Sequence, residues 1–114
     1  MTLNRRVVKM DKVIKTINRR IIFKCPGCDK IHSITEITWE FNGDLKKPTI
    51  KPSIKSTWID NQDNTDICHS FVTDGEIRFL NDSTHDLAGQ TVELMPVDNK
   101  HYDMDLVENI RSEG

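Results

Sequence analysis

The chain has 114 residues, so a single domain is expected, and a chain this short buries only about two-thirds of the surface its unfolded form exposes. Hydrophobic residues make up 36% and aromatic ones 6%, a thin core in which a metal crosslink would carry weight. The formal net charge of -2 excludes a generally basic nucleic-acid binder, and no stretch reaches the ~20 apolar residues of a membrane span.

The chain divides into a basic segment at 1–18, a central domain at 19–96 and an acidic tail at 97–114. Arg5, Arg6, Lys9, Lys12, Lys15, Arg19, Arg20 and Lys24 stand against the single acid Asp11. Two readings of this run stay open: a solvated end that attracts the acidic tail, or a contact surface for nucleic acid or an acidic partner. Val7, Met10, Val13, Ile14 and Ile17 fit a helical spacing, although the Val-rich pairs also suit a strand.

Residues 20–24 read as a strand entering the turn Cys25-Pro26-Gly27-Cys28. Residues 34–41, with Ile34, Glu36, Trp39 and Phe41, read as the next strand, ended by Asn42-Gly43-Asp44. Pro48 and Pro52 demote the segment between them to an edge strand at best. Asp74-Gly75 between two apolar runs predicts a hairpin over 67–80, because a two-residue type I′ turn needs positive φ at both positions. A short helical turn is expected near 83–89, then a last strand from Thr91 to Leu94. The fold class expected is a small mostly-β (α+β) domain, zinc-stabilised and zinc-ribbon-like.

The C-x-x-C turn carries the strongest chemistry. Its two-residue gap aims both thiolates at one ion, and the turn's backbone N–H groups can donate to the sulfurs. A thioredoxin-like redox motif would need a helix starting within it. Three cysteines cannot all pair within one chain, which favours a metal and a reducing, cytoplasmic setting. Zinc held by Cys25, Cys28, Cys68 and one histidine is therefore expected. The hairpin register brings His85 near Cys68 and makes it the first choice, with His32 and His69 as alternates. Strand alternation places Cys68, Ser70 and Val72 on one face and His69, Phe71 and Thr73 on the other.

Cys25-Pro26-Gly27-Cys28 with His32, Trp39, Asn42-Gly43-Asp44, Lys47-Pro48-Thr49, Pro52-Ser53, Cys68-His69-Ser70-Phe71-Val72, Gly75, Ile77 and Phe79-Leu80 resemble a group of small phage and prophage proteins. Asp82-Ser83-Thr84-His85 and Leu87-Ala88-Gly89-Gln90-Thr91-Val92 complete the likeness, which spans about residues 20–95. That group often carries the label ammonia monooxygenase, which nothing in this chain supports. More distantly, it resembles the peptidase components of bacterial ubiquitin-like operons. The resemblance implies a metal-binding domain of phage type.

Two functions compete. The first is a non-catalytic zinc module that binds a host protein, or nucleic acid through Arg5, Arg6, Lys9, Lys12, Lys15, Arg19 and Arg20. The second is a small zinc-dependent or serine hydrolase or peptidase, for which His69 and Ser70 are the catalytic candidates and Ser83, Asp82 and Asp86 lie close by. No Gly-x-Ser-x-Gly or His-Glu-x-x-His motif is present, so the reading leans away from an enzyme.

Overall fold

In the computed structural model, residues 11–97 are described, and they form two antiparallel sheets with no helix among them. The first sheet has the order β1 (Ile14–Lys15), β2 (Arg20–Lys24), β3 (Ile31–Thr35). The second has the order β4 (Glu40–Phe41), β5 (Ile50–Ile59), β6 (Thr65–Thr73), β7 (Glu76–Phe79), β8 (Thr91–Glu93). Ile21 and Phe23 from β2 join Ile50, Ile54, Val72, Ile77, Phe79 and Leu94 in one core. Cys25 and Cys68 lie within that core, so the two sheets share it with two of the three thiols.

The hairpin forms as expected. Asp74 and Gly75 have φ of 51° and 83°, and Thr73 pairs with Glu76. The β6 alternation also holds: Cys68, Ser70 and Val72 are buried, while His69, Phe71 and Thr73 look outward. Strand β2 and the strand at Thr91 stand where they were expected.

Other expectations need correction. Residues 34–41 are not one strand: Thr38 and Trp39 donate backbone N–H groups to Thr35 O, at 3.2 and 3.0 Å, and this turn separates β3 from β4. Residues 83–89 form no helix. Ala88 N–H to His85 O and Gln90 N–H to Leu87 O close isolated turns, and Gly89 stops propagation with a φ of 81°.

The segment between Pro48 and Pro52 is not an edge: Ile50 pairs with Phe41 of β4 and with Val72 of β6, and Lys51 pairs with Glu40, while Pro52 itself lies in β5 outside both ladders. Pairing to β4 ends at Lys51, and the register with β6 slips between Ile50 and Ile54. Ile50 pairs with Val72 and Ile54 with Ser70, so Lys51, Pro52 and Ser53 all oppose Phe71 alone. A proline has no N–H to contribute, so the bulge is the place in this strand where it costs least.

Residues 1–10 and 98–114 lie outside the described residues, and with them Arg5, Arg6 and Lys9 of the basic run and the acidic tail including His101. Within the described part, Lys12 pairs with Glu93 at 2.9 Å and Lys15 with Glu36 at 3.2 Å. Val13 is fully buried, and Ile14 and Lys15 of β1 pair with β2, so this described part of the basic run joins the first sheet.

Candidate active site and metal centre

Strand β6 carries two sites on opposite faces. Cys68 points inward. Its Sγ lies 3.6 Å from Cys25 Sγ, and the donor atoms of Cys25, Cys28, His32 and Cys68 all lie within 4.8 Å of one another. Four donors about 2.0–2.3 Å from a tetrahedral ion stand about 3.5–3.8 Å apart. The Cys25–Cys68 separation and the 3.4 Å between Cys28 Sγ and His32 Nε2 match such edges, so this group is close enough to bind one metal ion. The β2–β3 turn supplies two thiols because Cys25 N–H donates to Lys30 O at 2.9 Å and Asp29 N–H to Cys25 O at 3.0 Å, closing the knuckle.

His32, not His85, completes the group. The tautomers explain why. His32 is 5% exposed, and its Nδ1 faces Ser56 Oγ at 3.2 Å. A hydroxyl can accept from Nδ1–H, which leaves Nε2 free to ligate. His85 Nδ1 accepts from the Leu87 backbone N–H at 3.2 Å. A neutral His85 then carries its proton on Nε2, and that N–H donates toward Cys68 Sγ at 3.5 Å. The register argument was right to bring His85 to Cys68, but the ring arrives as a donor to the sulfur. It is held edge-on against Phe79 at 4.4 Å and close over Gly27, where an added Cβ would collide with the ring.

Hydrogen bonds from Cys25 and then Cys68 hold the Cys28 thiol far below its ordinary value, while those to Cys25 and then Cys28 push the Cys68 thiol up. Burial works against charge on His32, but hydrogen bonds to Cys25 and Cys28 outweigh it and raise its pKa to about 9. A metal ion would displace that imidazolium proton.

This geometry makes an expectation that separates the two histidines. His32→Ala loses the metal, whereas His85→Ala keeps it with affinity lowered about 10- to 100-fold, the usual effect of removing a group that supports a ligand. Metal content after dialysis, with a competitive chelator titration, reads both. Metal retained by His32→Ala and lost by His85→Ala would overturn the assignment.

His69 points outward from β6, one peptide unit from Cys68. Its Nε2 lies 3.1 Å from Ser53 Oγ, and its Nδ1 lies 3.0 and 3.1 Å from the two carboxylate oxygens of Asp82. Each partner is placed by a different device. Ser53 rides the β5 bulge, and its carbonyl accepts from Trp39 Nε1–H at 3.2 Å. His69 is held at its backbone by Ser83, whose Oγ accepts from His69 N–H at 3.0 Å and donates to His69 O at 3.1 Å. That clasp, with Leu80 N–H on His69 O at 2.8 Å, folds residues 80–83 back so that Asp82 reaches the ring. The His69 hydrogen bond, and then Lys55 at 3.9 Å, hold the Asp82 carboxyl below its ordinary value.

A serine hydroxyl, an imidazole and a carboxylate in this order form a nucleophile, a general base and its orienting group. A family model described as "Bacterial ubiquitination-like system serine protease (BubE)" matches residues 2–80. The chain belongs to the BubE family. No curated protein and no solved structure matches it.

The sequence candidates of this BubE-family chain fare unequally. His69 stands at the centre of the outer site. Ser70 does not join it, because alternation turns its side chain to the inner face, where it is 0% exposed and its Oγ has no hydrogen-bond partner. Ser83 serves as the clasp. Asp86 is not among the partners of His69; its backbone carbonyl accepts from Gln90 Nε2–H at 3.4 Å. Ser53, whose hydroxyl meets His69, was not among the sequence candidates. Its one sequence signal was Pro52, a proline inside a strand, which marks a bulge that can re-aim the residue beside it. No helix of the described residues is long and apolar enough to cross a membrane.

Proposed function

We propose that this chain is a serine protease acting in a ubiquitination-like system, with Ser53 as nucleophile, His69 as general base and Asp82 as the group that orients it. The observation that carries this is the continuous contact from Ser53 Oγ through both ring nitrogens of His69 to Asp82. Ser53 Oγ attacks the carbonyl carbon of the scissile amide while its proton passes to His69 Nε2. Asp82 stabilises the imidazolium through Nδ1–H. Collapse of the tetrahedral intermediate breaks the C–N bond, and the leaving amine takes the proton from Nε2. Water then hydrolyses the Ser53 ester by the same relay.

The metal is read as zinc with a structural role. Three thiolates and one imidazole fill a tetrahedral site with no position left for water, so the ion has no part in the bond cleavage. Free thiols of this kind fit a reducing cytosol. A non-catalytic phage module, the first expectation from the sequence, would leave the Ser53–His69–Asp82 arrangement without a task.

A fluorophosphonate probe, which phosphonylates activated serines with loss of fluoride, tests the proposal. Labelling that maps to Ser53 by peptide mass spectrometry is expected. Labelling that survives Ser53→Ala, or none on the folded, metal-loaded chain, would sink the reading.

A further inference from the structure

Two clefts involve strands of the second sheet that carry Ser53 and His69 or lie next to those strands. One, about 430 Å³, opens along β4 and β5 and includes Arg19, Glu36, Trp39, Glu40, Phe41 and Lys51 in its walls. The other, about 380 Å³, lies over β6 and β7 at Phe71, Asp74, Glu76 and Arg78. Trp39 ties the first cleft to Ser53, since it lines the cleft while its Nε1–H donates to the Ser53 carbonyl at 3.2 Å. Lys51, on the same wall, precedes Ser53 by two residues of the bulge.

The charges of the two clefts differ. In the first, Glu36 is engaged by Lys15 at 3.2 Å, while Arg19 and Lys51 have no ion-pair partner among the described residues. Glu40, paired with Lys51 in the β4–β5 ladder, is the remaining acid that opposes them among the described residues lining the cleft. In the second, Asp74 and Glu76 outnumber Arg78, and the Arg78 guanidinium stacks on Phe71 at 5.6 Å. An acidic side chain is therefore drawn to the Trp39 side and repelled from the Phe71 side. Trp39 and Phe41 supply apolar surface for the methylene stem of such a residue.

We propose that the Trp39 cleft is the specificity subsite of this protease and receives an acidic residue of the substrate close to the scissile bond. This rests on the Ser53–His69–Asp82 reading and adds to it the substrate's charge. Lys51 and Arg19 attract the carboxylate, and Glu40 opposes it. The preference is of surface ion-pair size, about fivefold for each favourable contact.

The test compares peptidyl phosphonates that carry Glu, Gln or Lys at the residue adjoining the reactive phosphorus and at its neighbours. Inactivation rates are taken relative to each variant's rate with a peptide-free fluorophosphonate, so differences in Ser53 reactivity cancel. The chain should react about fivefold faster with a Glu probe than with its Gln isostere at one position. Lys51→Glu should remove or reverse that preference, and Glu40→Gln should enlarge it. Labelling of Ser53 with no Glu preference at any position, or a preference unchanged in Lys51→Glu, overturns the subsite and leaves the protease reading standing. No labelling of Ser53 by either probe type overturns both.

Discussion

Ser53→Ala abolishes peptide hydrolysis while the chain keeps its fold and its metal. The expected loss in kcat is about 10⁴-fold or more, because removing the nucleophile of such a triad eliminates the covalent route entirely. His69→Ala should cost nearly as much, since Ser53 Oγ then has no base at 3.1 Å. The double variant should be no worse than either single one, because the two residues act as a unit. Turnover of a peptide substrate, measured beside metal content and a melting curve, checks all three. Residual activity within tenfold of the parent in Ser53→Ala would mean that another group attacks the carbonyl.

Cys68→Ser or Cys25→Ser unfolds the domain. Structural zinc in small peptides contributes an apparent ~10–16 kcal/mol near pH 7, and this exceeds the whole stability of most domains of this size. Both sulfurs sit within the shared core, so their loss also uncouples the β2–β3 knuckle from β6. Activity should disappear together with the cooperative melting transition, in contrast to Ser53→Ala. The contrast has a structural cause. Cys68 and His69 are neighbours on one strand, so whatever frees Cys68 frees the imidazole on the opposite face. A strong chelator should therefore inactivate the protease in parallel with unfolding. A Cys68→Ser variant that melts sharply at the parent temperature would show that the metal does not hold this fold.

The parts of this protein that were legible in its sequence are those settled within a few residues. Asp74-Gly75 specifies its turn because both positions need positive φ, and the observed 51° and 83° follow. The Cys25–Cys28 turn converges its thiols by spacing alone. Alternation along β6 assigned Cys68 and His69 to opposite faces before any partner was known. Family membership was legible for the same reason, since it is carried by short runs of residues.

What the tertiary structure decided are the relations between distant segments. The place of Ser53 against His69 was hidden because it depends on a two-residue slip in the β5–β6 register, and a slip belongs to a pair of strands. The choice between His32 and His85 turned on which ring nitrogen accepts a hydrogen bond. That required the positions of Ser56 Oγ and the Leu87 backbone N–H. Ser70 and Ser53 look alike in the sequence, but only one of them faces His69. Local chemistry determined that a thiolate cluster and an outward histidine would exist on β6. Only the packing of one sheet on the other decided that a cysteine of β6 would meet the β2–β3 turn, and only the pairing of β5 with β6 brought a serine to the histidine on the opposite face.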